Sequence, residues 1–192
     1  MKKLNEISRL AGMQESQMDR WKRLGFCHPD CHIDDFVNVG VLGLDHLLCF
    51  SKEAQLFSAQ VLGQISLPPE RRCPFALLST EITETLSSYW QIGSGVSTIV
   101  DVNPLVLILE DVHCKFLETF CRLWKEMDAS QEDMAKILRL LRKLIKSTLA
   151  SNRSIEDLTA SLKTLNYNMV KELQMKEVHE QDDDLLNQQS IL

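Results

Sequence analysis

Residues 27–32 near the N-terminus bring together four side chains that can bind zinc. The segment reads Cys-His-Pro-Asp-Cys-His and supplies two thiols and two imidazoles, a ligand mixture that zinc accepts. A structural zinc site needs a second ligand pair well separated in sequence, and His46, His113 and His179 stand beside no second Cys-x-x-Cys. We therefore favour a polar loop between helices, and we expect neither a metal nor a cofactor.

A second kind of chemistry would be a cysteine nucleophile activated by a histidine. Cys114 and Cys121 lie close to His113 in sequence, but neighbouring side chains on a helix point in different directions. Free thiols in apolar stretches behave as small hydrophobic groups, so we expect these thiols in the core. The chain also lacks a Gly-rich phosphate loop, an H-E-x-x-H motif and a G-x-S-x-G motif. No motif predicts an enzyme.

Composition places the chain among ordinary globular proteins. Of its 192 residues 44% are hydrophobic and 25% are charged, which suits one domain with a sizeable core. The net charge of −6 disfavours nucleic acid as a ligand. Six scattered cysteines fit a reducing compartment. Because there is neither an apolar N-terminal leader nor an uncharged apolar run of about 18 residues, we expect a cytoplasmic protein without a transmembrane segment.

The apolar pattern predicts a series of helices. Residues 40–50 are apolar on nearly every side and predict a buried helix, with Ser51 ending it and capping a second helix from Lys52. Apolar residues recur at helical spacing from Pro74 to Tyr89, and the longest apolar stripe follows Pro104 and predicts the central helix. The β-branched residues 96–102 predict an extended loop, because one isolated strand has no partner.

Two serine-led patterns predict further helix starts. Residues 130–133 and 154–157 each place a serine three residues before an aspartate, as in a capping box. The helix after the first pattern has a basic outer face, which we interpret as a solvated face rather than a site for anionic lipid or an acidic partner. That face consists of Lys136, Arg139, Arg142, Lys143 and Lys146.

These patterns predict an all-α fold: one domain of about six to nine helices. We divide the chain into an N-terminal helical lead-in (1–16), the domain itself (17–176) and an acidic flexible tail (177–192).

An ordered series of short motifs resembles the ELMO domain of the engulfment and cell motility family. It begins with Trp-Lys-Arg-Leu-Gly-Phe at 21–26 and continues through Asp-Phe at 35–36 and Gly-Val-Leu-Gly-Leu-Asp-His-Leu-Leu at 40–48. Cys-Pro-Phe at 73–75 and the run from Trp124 to Asp133 look like later landmarks of the same domain. The resemblance covers about residues 17–192, and its specificity lies in the order of the motifs.

The resemblance implies one of two functions. In one branch of the family the domain activates GTP hydrolysis by Arf-family GTPases. In the other, the engulfment proteins, it is a module of a scaffold that binds DOCK-type exchange factors and promotes Rac activation, actin remodelling, phagocytosis and migration. We expect these 192 residues to hold the domain without the other regions of the scaffold, namely the GTPase-binding and repeat region, the PH domain and the proline-rich end.

One position distinguishes the two branches. The GTPase-activating branch carries arginine and glycine directly after the aspartate-phenylalanine pair, where this chain has Val37 and Asn38. Valine cannot supply the cation of an arginine finger. We therefore expect a non-catalytic adaptor in small-GTPase (Rac- or Arf-linked) signalling to the actin cytoskeleton. The motif carries over these partner-binding residues: Trp21, Gly25, Phe26, Asp30, Asp35, Phe36, Val37, Asn38 and Gly40.

The alternative is a GTPase-activating protein for Arf- and Arl-family GTPases whose arginine comes from elsewhere in the chain. Candidates are Arg20 and Arg23 beside the first motif, and a pair expected to be mobile, Arg71 and Arg72.

Overall fold

The computed structural model describes residues 2–13, 20–26, 36–53, 57–92, 105 and 108–165. Within these ranges the regular structure is helical and includes no strand, which confirms the predicted all-α class. Short 3-10 turns at Pro69–Arg71 and Gln131–Asp133 precede two of the helices. The described α-helices are α1 (Lys2–Leu10), α2 (Arg20–Arg23), α3 (Gly40–Glu53), α4 (Phe57–Gly63), α5 (Phe75–Tyr89), α6 (Leu109–Glu126), α7 (Met134–Ser151) and α8 (Ile155–Thr164).

Helices α3, α5 and α6 pack against one another and form the centre of the fold. Helix α1 packs on α3, α7 packs on α5, and α8 packs on both α6 and α7. The predicted central helix is therefore confirmed as α6, although it begins at Leu109 rather than directly after Pro104. Its apolar stripe lies in the core because a period of 3.6 residues keeps these side chains on one face. The buried members are Val112, Phe116, Phe120 and Leu123.

The predicted break at Ser51 is wrong. Helix α3 continues to Glu53, and the Ser51 hydroxyl donates a hydrogen bond to the Leu47 carbonyl oxygen at 2.7 Å, one turn earlier. A buried serine can satisfy its hydroxyl in this way inside a helix, so it need not cap a new one. The following helix, α4, begins at Phe57.

Both predicted serine caps are confirmed. The backbone N–H of Ser130 donates to the Asp133 carboxylate at 3.0 Å and thereby closes a capping box before α7. At the start of α8 the backbone N–H of Asp157 donates to the Ser154 hydroxyl at 3.1 Å. Each bond satisfies a helix-terminal group that has no partner within the helix.

Replacing Ser154 with alanine is expected to lower the free energy of unfolding by about 1 kcal/mol, because the Asp157 N–H loses its acceptor. Ser147→Ala is the matched control: its exposed hydroxyl bonds only within α7, to the Leu144 carbonyl oxygen, and alanine favours a helix. Urea denaturation of both variants measures the difference. Equal midpoints for the two variants would contradict the cap.

The basic face predicted on α7 is exposed at all five positions, and Arg142 pairs with Glu81 of α5 at 2.6 Å. Three sequence predictions lie outside the described residues: the polar loop at 27–32, the extended loop at 96–102 and the acidic tail at 177–192. None of the helices in the described ranges has the length and apolar character needed to cross a bilayer.

Candidate functional site

The motif residues divide into a buried aromatic cluster and an exposed turn. Trp21, Phe26 and Phe36 are buried. The ring centroids of Trp21 and Phe26 are 5.8 Å apart in an edge-to-face arrangement, and those of Phe26 and Phe36 are 5.7 Å apart. Such aromatic pairs add stabilisation beyond that of burial alone. The cluster thus joins α2 to the turn that precedes α3.

Gly25 allows α2 to end where it does. Its φ of +83° lies in the left-handed region that glycine tolerates best. The Gly25 N–H donates to the Lys22 carbonyl oxygen at 3.0 Å, and the Phe26 N–H donates to that of Trp21 at 3.1 Å. These two bonds and the contact between Trp21 and Phe26 form a Schellman motif. A Cβ at Gly25 would lie 2.3 Å from the Pro74 Cα, so this helix end sits directly against the start of α5.

The other described motif residues are exposed. Val37 and Asn38 occupy a turn, and Gly40 begins α3 with its backbone accessible. The Val37 side chain is 71% exposed, and Val41, in the first turn of α3, is 67% exposed. We call these two exposed valines, four positions apart in the sequence, the valine surface; Val37 directly follows Phe36 of the aromatic cluster. The exposure of Val41 was not predicted, because a valine in an apolar helical run looks like a core residue.

Asp30 and Asp35 lie outside the described residues. Of the nine motif positions, the structure therefore places Trp21, Phe26 and Phe36 together in the core. It also places Gly25 against α5, and it leaves Val37, Asn38 and Gly40 at the surface.

Arg71 is held at the surface by contacts with the end of α6. Its guanidinium pairs with the Asp128 carboxylate at 2.6 Å. The Trp124 indole N–H donates to the Arg71 carbonyl oxygen at 3.0 Å. Both side chain and backbone of Arg71 therefore fasten the Pro69–Arg71 turn to α6.

Arg72 bonds to the carbonyl groups that follow α4. Its Nε donates to Gln64 at 3.2 Å and to Leu67 at 3.1 Å, and its Nη2 donates to Ile65 at 3.0 Å. A guanidinium used in this way would have to abandon charge-assisted hydrogen bonds to approach a nucleotide. Both arginines thus have partners within the fold, whereas the sequence analysis expected a mobile pair. Arg23 is half-buried, and the side chain of Arg20 lies outside the described set.

Two histidines that the sequence places 67 positions apart meet at the centre of the fold. The rings of His46 in α3 and His113 in α6 stack with centroids 4.6 Å apart, and both side chains are fully buried. Burial lowers the pKa of His46 to about 4, and the nearby Asp45 carboxylate acts in the opposite direction. Burial, reinforced by the neighbouring His46, lowers the pKa of His113 to about 3. Both rings are therefore neutral at pH 7.

Residues of α5 form hydrogen bonds with both histidine rings. Thr83 donates its hydroxyl to the Ser79 carbonyl oxygen at 2.9 Å and lies 2.9 Å from the His46 Nδ1. The His46 Nδ1 must therefore carry the proton of that bond. The His113 Nε2 lies 3.0 Å from the Ser79 hydroxyl and 3.2 Å from its carbonyl oxygen. The pair has the distance of a serine–histidine catalytic dyad, but full burial of both side chains denies access to any substrate.

Cys114 and Cys121, which we expected in the core, are partly buried and pack against it, whereas Cys73 is buried. Burial raises the pKa of Cys73 and of Cys114, which disfavours the reactive thiolate. His113 bonds to Ser79 as described above, and no thiol is a partner of its ring among the described hydrogen bonds. Nor do the described residues gather three or more His, Cys, Asp or Glu side chains around a possible metal position.

The chain is similar to proteins of one family along most of its length. Residues 1–138 match the model of the ELMO/CED-12 family. Engulfment and cell motility protein 3 of Bos taurus is 30% identical over 82% of this chain and 25% of its own length. Human engulfment and cell motility proteins 1 and 2 are 27% and 28% identical over 85% of this chain and 24% of their own length.

The chain spans about a quarter of the length of these relatives. The match to the family model includes the buried aromatic cluster and the exposed turn. It also covers all three central helices in full, since it runs past the end of α6. The chain therefore belongs to the ELMO/CED-12 family.

Proposed function

We propose that this chain is a non-catalytic ELMO-domain adaptor in small-GTPase signalling to the actin cytoskeleton, acting in engulfment and cell motility. Its partners would be Rac- or Arf-family GTPases or DOCK-type exchange factors, bound in the cytoplasm. Support comes from the family and from the names of its relatives, the engulfment and cell motility proteins.

The observation that carries the proposal is the exposed valine at the position where the GTPase-activating branch of the resemblance has arginine. An arginine finger accelerates hydrolysis by about 10³ to 10⁵ because it neutralises charge in the transition state. Val37 carries no charge, and both Val37 and Val41 expose apolar side chains. An apolar surface of this kind suits contact with a protein better than contact with a nucleotide phosphate.

The aromatic cluster supports the same proposal because it anchors the residue that starts the exposed turn. Phe36 is buried beside Phe26, and the Val39 N–H donates to the Phe36 carbonyl oxygen at 3.1 Å. Val37 and Asn38 are thereby displayed on a turn whose flanks are anchored. A preorganised turn loses less conformational entropy when a partner binds.

Catalysis is tested by single-turnover GTP hydrolysis with a panel of Arf and Arl proteins. We expect wild type to leave the hydrolysis rate within about twofold of the intrinsic rate, since a finger would raise it by about 10³ or more. Two double variants are assayed in parallel. One combines Val37→Arg with Asn38→Gly, and the other combines Arg71→Ala with Arg72→Ala. Strong stimulation by wild type that the Arg71/Arg72 change abolishes would show an enzyme with a relocated finger and would refute the adaptor proposal.

Binding is tested separately with purified nucleotide-loaded Rac and Arf proteins and a purified DOCK-family exchange factor. Val37→Asp with Val41→Asp should weaken the observed complex by about tenfold or more, because two charges would replace apolar contacts. Ile92→Asp is the matched control, since Ile92 is an exposed apolar residue at the far end of α5. Equal loss in both variants would argue against a specific surface at the turn.

A further inference from the structure

A large open groove lies on a different part of the molecule from the valine surface. Its volume is about 1270 Å³, and it is bordered by α4, the Pro69–Arg71 turn, α6 and α8. This volume exceeds the range of about 300–1,000 Å³ that is typical of small-molecule sites. The groove therefore has room for a stretch of polypeptide. Apolar residues of its lining include Leu67, Pro68, Phe75, Trp124 and Leu162.

The groove is positively charged although the chain as a whole carries a net charge of −6. Among the described residues, five cationic side chains line it, against the two carboxylates of Glu118 and Asp128. Three of the cations are already paired, since Lys115 contacts Glu118, Arg122 contacts Glu126 and Arg71 contacts Asp128. The other two, Lys125 and Lys163, are exposed and form no ion pair with a described residue. An acidic polypeptide with some apolar side chains would complement this surface.

The described chain ends at the border of the groove. Leu162 and Lys163 of α8 line it, and the Arg122 guanidinium donates to the carbonyl oxygens of Leu162 at 3.3 Å and Leu165 at 2.8 Å. These bonds fasten the end of α8 to α6. The next part of the chain therefore starts beside the groove.

The sequence after Leu165 has the complementary composition. Between residues 177 and 184 it places five carboxylates, while residues 166–176 carry apolar side chains among polar ones. Residues 166–176 can span up to about 40 Å when extended and about 16 Å as a helix. The acidic residues are therefore tethered within that distance of Leu165, which follows Lys163 by two residues. The five are Glu177, Glu180, Asp182, Asp183 and Asp184.

We propose that the groove binds the acidic segment 177–184 of the same chain, with Lys125 and Lys163 facing its carboxylates. A segment tethered beside its site has an effective concentration of about millimolar, so weak ion pairs and modest apolar burial suffice to hold it. An acidic segment of another protein would enter the groove only by displacing this one. This inference does not depend on the proposed GTPase signalling function.

The first test is carbodiimide cross-linking of the full chain at low micromolar concentration, followed by mass spectrometry of the monomer. We expect amide links from carboxylates of 177–184 to Lys125 and Lys163. Lys136 and Lys146 on the exposed face of α7 are internal controls with the same chemistry. Links to the α7 lysines in equal yield would overturn the proposal. Links found only in a cross-linked dimer would also overturn it, because the occupant would be a second copy.

The second test measures competition by fluorescence anisotropy. A labelled peptide of residues 175–190 is titrated with wild type and with a full-length variant whose five acidic residues are changed to Gln or Asn. The variant should bind the peptide at least about tenfold more tightly, because its own segment no longer competes. Adding Lys125→Glu with Lys163→Glu should remove most of that binding, whereas Lys136→Glu with Lys146→Glu should leave it unchanged. Equal binding by wild type and the neutral-tail variant, or equal loss from both lysine pairs, would overturn the proposal.

Discussion

Gly25→Ala is expected to lower the free energy of unfolding by about 4 kcal/mol. Alanine at a φ of +83° costs about 1–2 kcal/mol, and its Cβ would lie 2.3 Å from the Pro74 Cα and 2.6 Å from the Pro74 carbonyl carbon. Backbone atoms cannot rotate away as a side chain can, so α2 and the start of α5 would have to separate. The Ala76 N–H, which donates to the Leu24 carbonyl oxygen at 2.8 Å, would be strained by the same movement.

Gly40→Ala is the matched control for this prediction. Gly40 also has a positive φ, +55°, but an added Cβ would have no atom within 4 Å. Only the backbone cost of about 1 kcal/mol applies there. Urea denaturation of both variants separates conformational strain from the steric contact with Pro74. If the two variants lose the same stability, the close approach of α2 to α5 does not contribute.

The second large effect is a loss of stability in mild acid. His46 and His113 have folded-state pKa values of about 4 and about 3, both below the value of about 6.5 expected in the unfolded chain. Above pH 6.5 the two rings are neutral in both the folded and the unfolded chain. There the pair does not make the free energy of unfolding depend on pH. As the pH falls below 6.5, the two imidazoles bind protons in the unfolded state but stay neutral in the folded state. The free energy of unfolding should therefore decrease, by about 4 kcal/mol at pH 5 for the two rings together.

Denaturation midpoints measured between pH 7 and pH 5 test this prediction. His46→Asn should roughly halve the slope in that window, because one of the two titrating rings is removed. Nuclear magnetic resonance of the histidine ring protons provides an independent measurement, in which His46 and His113 should keep constant shifts down to about pH 5. A titration of either ring near pH 6.5 would contradict the buried neutral pair.

The helices could be predicted because their apolar residues follow a period of 3.6, and two of their starts because serine caps are local. The stop predicted at Ser51 failed for an equally local reason, since its hydroxyl bonds back to Leu47 inside α3. A hydroxyl that can either cap a helix or bond within one leaves both outcomes open in the sequence.

The motif at 21–40 was predictable as a unit, but its division into core and surface was not. Trp21, Phe26 and Phe36 form a packed aromatic cluster, whereas Val37 and Val41 are exposed. An apolar residue type does not reveal which of two neighbouring positions faces the core. This depends on the turn at 36–39 and on the close approach of Gly25 to Pro74.

The groove and the histidine pair were beyond prediction because they are made of distant parts of the chain. His46 and His113 are joined only when α3 and α6 pack on the same side of α5. Likewise, Lys125 and Lys163 line one groove only after α8 has packed on α6. Contacts of this range follow from tertiary packing rather than from local pattern.

The hydrogen bonds from His46 and His113 to α5 also govern how the molecule comes apart. Opening any one of α3, α5 and α6 would disrupt the buried contacts of the two imidazoles with one another and with α5. The three helices should therefore open as a single cooperative unit, whereas α1 and α8 are attached at the periphery and can fray separately. Transient access for proteases and exchange of backbone amides should begin at these outer helices and leave the central three intact.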